Sequence, residues 1–178
     1  MLAHRLGTLL ALSSITTAQT LVLDINQAPL VDPEPEGGFY GHLELNGELL
    51  FSASTEATGS ELWKTDGTTA GTQMVEDLWP GIDSSAPSSL RLLPNGTVVM
   101  TAVTSPVGRE IFKTDGTAAG TKIVYDVRGG PETSNPHDLT VFGDYVYFLA
   151  NDNVHGSEWW RTDGTTAGTE LFFDVVPG

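Results

Sequence analysis

The chain has 178 residues, no cysteine, and 23 acidic against 8 basic side chains, a formal charge of −15 with histidine neutral. That balance excludes nucleic acid and anionic membrane surfaces as electrostatic partners, and the lack of cysteine excludes disulfide staples and thiol chemistry. Most of the acidic surplus reads as a solvated surface that resists aggregation.

Residues 1–18 read as a secretory signal peptide: His4 and Arg5 open it, Leu6 to Ile15 are largely apolar, and Thr16 and Ala18 are small residues at the −3 and −1 positions. Their apolar core is about half of the ~20 residues that a spanning helix needs, and no later segment comes closer. The sequence therefore predicts no membrane span and a secreted or cell-surface location. Removing the signal leaves seven basic residues against the same 23 acids.

The mature domain, 19–178, is a repeat array. Gly59 to Gly81 reads GSELWKTDGTTAGTQMVEDLWPG, Gly108 to Gly130 reads GREIFKTDGTAAGTKIVYDVRGG, and Gly156 to Gly178 reads GSEWWRTDGTTAGTELFFDVVPG. One supersecondary unit is stacked several times. Unit one covers about residues 39–78, unit two about 88–127 and unit three about 137–175. Each divides into four β-type segments. In unit two these are Ser89 to Leu93, Thr97 to Val103, Glu110 to Thr114 and Thr121 to Val127. Asn46-Gly47, Asn95-Gly96 and Gly143-Asp144 mark the first hairpin turns.

Leu21 to Ile25 resembles the fourth segment of each unit, Met74 to Leu78, Ile123 to Val127 and Leu171 to Val175, with Asp24 aligned to Asp77, Asp126 and Asp174. The expected fold is all-β, a β-propeller-like array of four-stranded antiparallel blades: three blades plus one lone N-terminal strand at 21–25, an incomplete ring. A propeller has four to eight blades, so the expectation is a piece of a longer protein or a chain that self-associates through open blade edges. A β-solenoid and an open sandwich are the alternatives.

The strings ELWKTDGTTAGT, EIFKTDGTAAGT and EWWRTDGTTAGT resemble the E-L-W-x-x-D-G-T repeat family of large secreted bacterial proteins, sometimes labelled hyalin-like. The resemblance implies an extracellular propeller-like array and brings no catalytic residues with it. The chain departs from the family pattern at Ile111-Phe112 and Trp159, where apolar bulk is kept.

Several residues recur as a structural motif. Trp63, Phe112 and Trp160 read as packing between adjacent blades, with a sugar-stacking platform as the functional alternative. Glu61, Glu110 and Glu158 stand beside that bulk and need hydrogen-bond partners or a cation, which suits a latch between blades. In the loops that follow, Asp66, Asp115 and Asp163 read as acceptors for backbone N–H groups. The glycine pairs Gly67 and Gly71, Gly116 and Gly120, and Gly164 and Gly168 read as positive-φ positions. No cofactor is expected; calcium is the rival reading of these loops, although one carboxylate per loop is thin for an ion that takes six to eight oxygens.

Recognition is expected on the opposite, variable side of the array, where the second-to-third and fourth-to-first connections meet. The candidate ligand-binding residues are Asn151, Asp152, Asn153 and His155, with Asp83 and His137 as neighbours, and the partner is an extracellular glycan or protein. His42, His137 and His155 lack any metal-ligand spacing, and no nucleophile elbow or phosphate loop occurs. The reading is a non-enzymatic surface-interaction module. The alternatives are a propeller hydrolase built on paired carboxylates and a purely structural repeat.

Overall fold

The computed structural model describes residues 41–174. The expected signal 1–18 and lone strand 21–25 lie outside the described residues. Within them the chain is all-β, with no helix. Sheet one comprises β1 (His42–Leu45), β2 (Glu48–Thr55), β3 (Gly59–Thr65) and β4 (Gln73–Glu76). Sheet two comprises β5 (Ser88–Leu92), β6 (Val98–Thr104), β7 (Gly108–Thr114) and β8 (Lys122–Tyr125). Sheet three comprises β9 (His137–Phe142), β10 (Tyr145–Asn151), β11 (Ser157–Thr162) and β12 (Glu170–Phe173). In each, the strands follow chain order as an antiparallel meander.

The first hairpin turns are built in two ways. Asn46 and Gly47 both take positive φ, 54° and 83°, the pair of angles a two-residue turn between right-twisted strands needs. Asn95-Gly96 differs from the expectation: only Gly96 has positive φ, at 83°. Pro94 opens a four-residue turn in which Gly96 N–H donates to the Leu93 carbonyl at 2.9 Å, and Asn95 Oδ1 accepts from Thr97 N–H at 2.9 Å. The turn is longer because proline fixes a negative φ and so suits the first central position of a common turn.

Side chains alternate across each strand, so every sheet has two apolar faces. The front carries Leu50, Leu62 and Val75 in sheet one, and Val99, Ile111 and Val124 in sheet two. The back carries Met100, Phe112 and Ile123 in sheet two, and Phe148, Trp160 and Leu171 in sheet three. The front of sheet one packs on the back of sheet two, and the front of sheet two packs on the back of sheet three. Phe112 and Trp160 thus lie between sheets, 3% and 7% exposed, whereas Trp63, the third of the aromatic series, is half-buried on the back of sheet one, against which no sheet packs among the described residues. The register shift beside Leu62 and Trp63 leaves Val75 as an extra residue on β4, and Val124 repeats this on β8; both are buried.

The fourth strands end two residues earlier than the sequence suggested, at Glu76 and Tyr125. Leu78 N–H donates to Glu61 Oε2 at 3.1 Å and Val127 N–H to Glu110 Oε2 at 3.0 Å. These amides are satisfied by carboxylates, which turns the chain out of the sheet.

The third-to-fourth loop has the same aspartate-centred bonds in all three units. Asp66 Oδ1 accepts from Thr68 N–H at 2.9 Å and Thr68 Oγ1 at 2.7 Å, and Gly71 N–H donates to Thr68 Oγ1 at 3.0 Å. Equivalent bonds recur at Asp115 and Asp163. Gly67, Gly116 and Gly164 take the positive φ expected of them. Gly71, Gly120 and Gly168 do not: they are glycine because a Cβ there would fall inside the neighbouring aspartate carboxylate. Gly120→Ala should therefore cost about 1–2 kcal/mol by displacing Asp115 and its bonds. In urea unfolding, the double variant with Asp115→Ala should be no less stable than Asp115→Ala alone. An additive double variant would refute the assigned clash.

Candidate functional site

The antiparallel meander places the connections 56–58, 105–107 and 152–156, with the longer segments 77–87 and 126–136, on the side opposite the Asp-Gly-Thr loops. The motif glutamates fix this side. Glu61, fully buried, accepts from Leu78 N–H, from Ser85 N–H at 2.9 Å and from Ser85 Oγ at 2.5 Å. Glu110 does the same with Val127 N–H, Ser134 N–H at 2.7 Å and Ser134 Oγ at 2.6 Å. Each carboxylate ties the end of its third strand to the segment leading into the next sheet. Burial pushes both carboxyls above their ordinary value, and the bonds from Ser85 and Ser134 pull back against it. Glu158 is buried at the equivalent position of sheet three.

Gly59, with φ of 62°, lets segment 77–87 cross the second hairpin closely: a Cβ there would drive into the Asp83 carbonyl. Ser84 Oγ accepts from Ser60 N–H at 3.0 Å, and Ala86 N–H donates to the Ser60 carbonyl at 3.0 Å. The backbone of this connection is therefore pinned as firmly as a strand, which gives the surface above it a fixed shape.

A cavity of about 380 Å³ opens here, bordered by residues of all three sheets: Ser52, Ser60, Ser88, Thr101, Arg109 and His137. Arg109 is its only cation of fixed charge. The guanidinium is half-buried, and its Nη1 donates long bonds to the Ala86 carbonyl and Thr101 Oγ1, both at 3.3 Å, and to Ser88 Oγ at 3.5 Å. No carboxylate of the described residues lies within ion-pair distance of it. Burial pushes the Arg109 guanidinium down from its usual value, yet arginine stays protonated in any protein setting. Ser52 and Ser60 share a bond of 2.9 Å, as do Ser88 and Thr101 at 2.8 Å, so hydroxyls that can donate or accept line the rest.

Arg109 also borders a second depression, of about 470 Å³, with Trp79, Pro106, Pro131 and Asn135. Arg109 is common to the linings of both depressions. A flat indole, a planar cation and orienting hydroxyls are the groups that hold a polar ring bearing an anionic substituent.

Of the residues chosen from sequence, His137 lines the Arg109 cavity, where its Nδ1 lies 2.9 Å from the Asn135 carbonyl. Asp83 lies at the Gly59 crossing. Asn151, Asp152, Asn153 and His155 form a separate loop whose polar atoms shape the loop itself. Asn151 Oδ1 accepts from Asn153 N–H at 2.7 Å, and Asp152 Oδ1 accepts from Val154 and His155 N–H at 2.9 and 2.8 Å. Asp152 Oδ2 lies 2.6 Å from His155 Nδ1. That contact raises the His155 pKa, and the same bonds outweigh burial to hold Asp152 below its usual range. Asn153 Oδ1 accepts from Arg128 Nη2 at 3.3 Å. No hydrogen bond or ion pair joins Asp83, His137 and this loop among the described residues.

Compared with models of known protein families the chain matches none, and no curated protein is similar to it. Arg109 and Trp79 were not singled out by sequence reasoning. The available signal was variation inside an otherwise constant motif: Ser60, Arg109 and Ser157 are equivalent, as are Trp79 and Arg128. In the Asp-Gly-Thr loops Asp66 Oδ1 accepts from the Thr68 N–H and hydroxyl. No cluster of three histidine or acidic side chains arranged for a metal occurs among the described residues.

Proposed function

We propose that this chain is an exported, non-enzymatic β-propeller-type repeat module that recognises an acidic group on an extracellular glycan, with Arg109 as the anchor and Trp79 as the adjoining stacking surface. The observation that carries the reading is a half-buried arginine with no carboxylate partner among the described residues, in a chain of formal charge −15. A buried cation without a counter-charge is costly, and a ligand carboxylate would supply one in bidentate geometry. The front-to-back stacking of three four-stranded sheets, with contacts between β1 and β5 and between β5 and β9, supports the propeller arrangement, because those first strands would line a common axis. The E-L-W-x-x-D-G-T resemblance points the same way.

The test is an array of neutral and uronic-acid oligosaccharides probed with the full chain. Binding should be confined to acidic members and weaken with salt. Arg109→Ala should lower affinity by about 1.5–3 kcal/mol, roughly 10- to 150-fold, while circular dichroism stays unchanged. Equal binding of neutral and acidic sugars, or an Arg109→Ala variant that binds as well as the parent, would sink the proposal.

A further inference from the structure

The depression of about 470 Å³ beside Arg109 holds groups that an acid ligand alone leaves unused. Trp79, Pro106 and Pro131 give it apolar walls, and Asn135 lines it as well. Only the backbone of Asn135 is engaged: its N–H donates to Thr133 Oγ1 at 3.0 Å, and its carbonyl lies 2.9 Å from His137 Nδ1. The carboxamide makes no hydrogen bond among the described residues. Asparagine is favoured where φ is positive, and φ is 51° here. That need does not explain the side chain. Ala86 is the equivalent residue of the preceding connection, since it too follows a serine whose N–H donates to the motif glutamate. It holds φ of 42° with a methyl group. The backbone accepts alanine at this position, and the carboxamide is open to a ligand.

One edge of Arg109 is open in the same way. Its three side-chain hydrogen bonds all leave from Nη1, so Nε and Nη2, an edge able to grip a carboxylate with two parallel bonds, are unspent among the described residues. Thr133 links the two groups. Its Oγ1 donates to the Arg109 carbonyl at 3.0 Å and accepts from Asn135 N–H. One hydroxyl therefore ties the backbone of the cation to the backbone of the carboxamide.

We infer that the depression of Trp79 and Asn135 takes the acetamido substituent of an N-acetylated sugar adjoining the uronate at Arg109. The preferred ligand is then a chain of alternating uronate and N-acetylhexosamine, not a uronate homopolymer. This rests on the acidic-glycan reading proposed above. An acetamido group presents one N–H donor, one carbonyl acceptor and a methyl. A carboxamide supplies the matching acceptor and donor, and indole and proline faces cover the methyl. A uronate homopolymer would instead set a second carboxylate against these walls. Arg109 is the only cation in their lining, so that second charge would be desolvated without a partner, which is costly.

The test is calorimetric titration of the full chain with three oligosaccharides of equal length: alternating uronate and N-acetylhexosamine, uronate only, and neutral N-acetylhexosamine only. The alternating oligomer should bind roughly 3- to 10-fold more tightly than the uronate oligomer, the worth of one or two hydrogen bonds. The neutral one should bind weakest. Asn135→Ala, which copies the residue of the preceding connection, should erase the preference for the alternating oligomer and leave uronate binding and the circular dichroism spectrum as in the parent. In the parent, the nitrogen-15 signal of the Asn135 carboxamide should shift with the alternating oligomer and stay in place with the uronate oligomer. Equal affinity for these two oligomers, a preference that survives Asn135→Ala, or a carboxamide signal that never moves would overturn the inference while leaving acid recognition at Arg109 intact. A neutral oligomer that binds as tightly as the alternating one, or no saturable binding by any of the three, would overturn the Arg109 reading and the inference with it.

Discussion

Phe112→Ala should destabilise the chain by about 3–5 kcal/mol, the usual cost of removing a phenyl ring from a packed interior. Phe112 is 3% exposed and belongs to one cluster with Leu50, Leu62 and Met100, so its ring sits in the core that joins sheets one and two. In a stacked array each unit is stabilised by the interface with its neighbour as well as by its own pairing. The loss should therefore fall on the coupling of sheets one and two. Urea unfolding should show a lower midpoint, and hydrogen exchange should rise in β1–β4 before it rises in β9–β12. The equivalent Trp63 is half-buried, so Trp63→Ala should cost less despite removing a larger side chain. A cost below about 1.5 kcal/mol for Phe112→Ala would mean that the sheets do not depend on one another in this way.

Glu110→Gln should cost about 1–3 kcal/mol even though it removes a charge from the interior. Both carboxylate oxygens are occupied: Oε1 by Ser134 N–H, Oε2 by Val127 N–H and Ser134 Oγ. A carboxamide keeps one oxygen and turns an NH₂ toward donors. Ser134 Oγ can rotate to accept from it, but a backbone N–H cannot, and one buried donor is left unpaired. Because burial raises the folded Glu110 pKa above its ordinary 4.5, the native state binds the proton more tightly than the unfolded chain. The parent accordingly gains stability as pH falls from the folded value toward 4.5. The glutamine variant lacks this gain, so the gap between the two should widen on mild acidification. A glutamine variant as stable as the parent at neutral pH, measured by chemical denaturation, would show that the carboxylate latch is dispensable.

The four-stranded units were legible because the repeat supplies the same hairpin signals three times, and a turn such as Asn46-Gly47 carries its backbone angles in its composition. The ends of β4 and β8 were not legible, since the amides that leave the sheet are captured by carboxylates 17 residues earlier in the chain. At Gly71 the sequence suggests a positive φ, but the constraint is the Asp66 carboxylate, a contact that only the folded chain reveals. For the site, polarity alone drew attention to Asn151, Asp152, Asn153 and His155; the side chains of Asn151, Asp152 and His155 bond within their own turn, and that of Asn153 bonds to Arg128. Arg109 stands where the other two units carry serine, Ser60 and Ser157. Its meaning comes from the walls around it, contributed by β2, β3, β5, β6 and β9 and by two connecting segments.

The most direct measurement is a nitrogen-15 spectrum of the full chain titrated with an oligo-uronate, following the Arg109 Nε–H and Trp79 indole N–H signals together. Recognition at this site predicts that both shift along one saturable curve, while the signals of the 151–155 loop stay in place. Saturable shifts confined to the 151–155 loop, or no shift at Arg109 while the ligand binds, would contradict it.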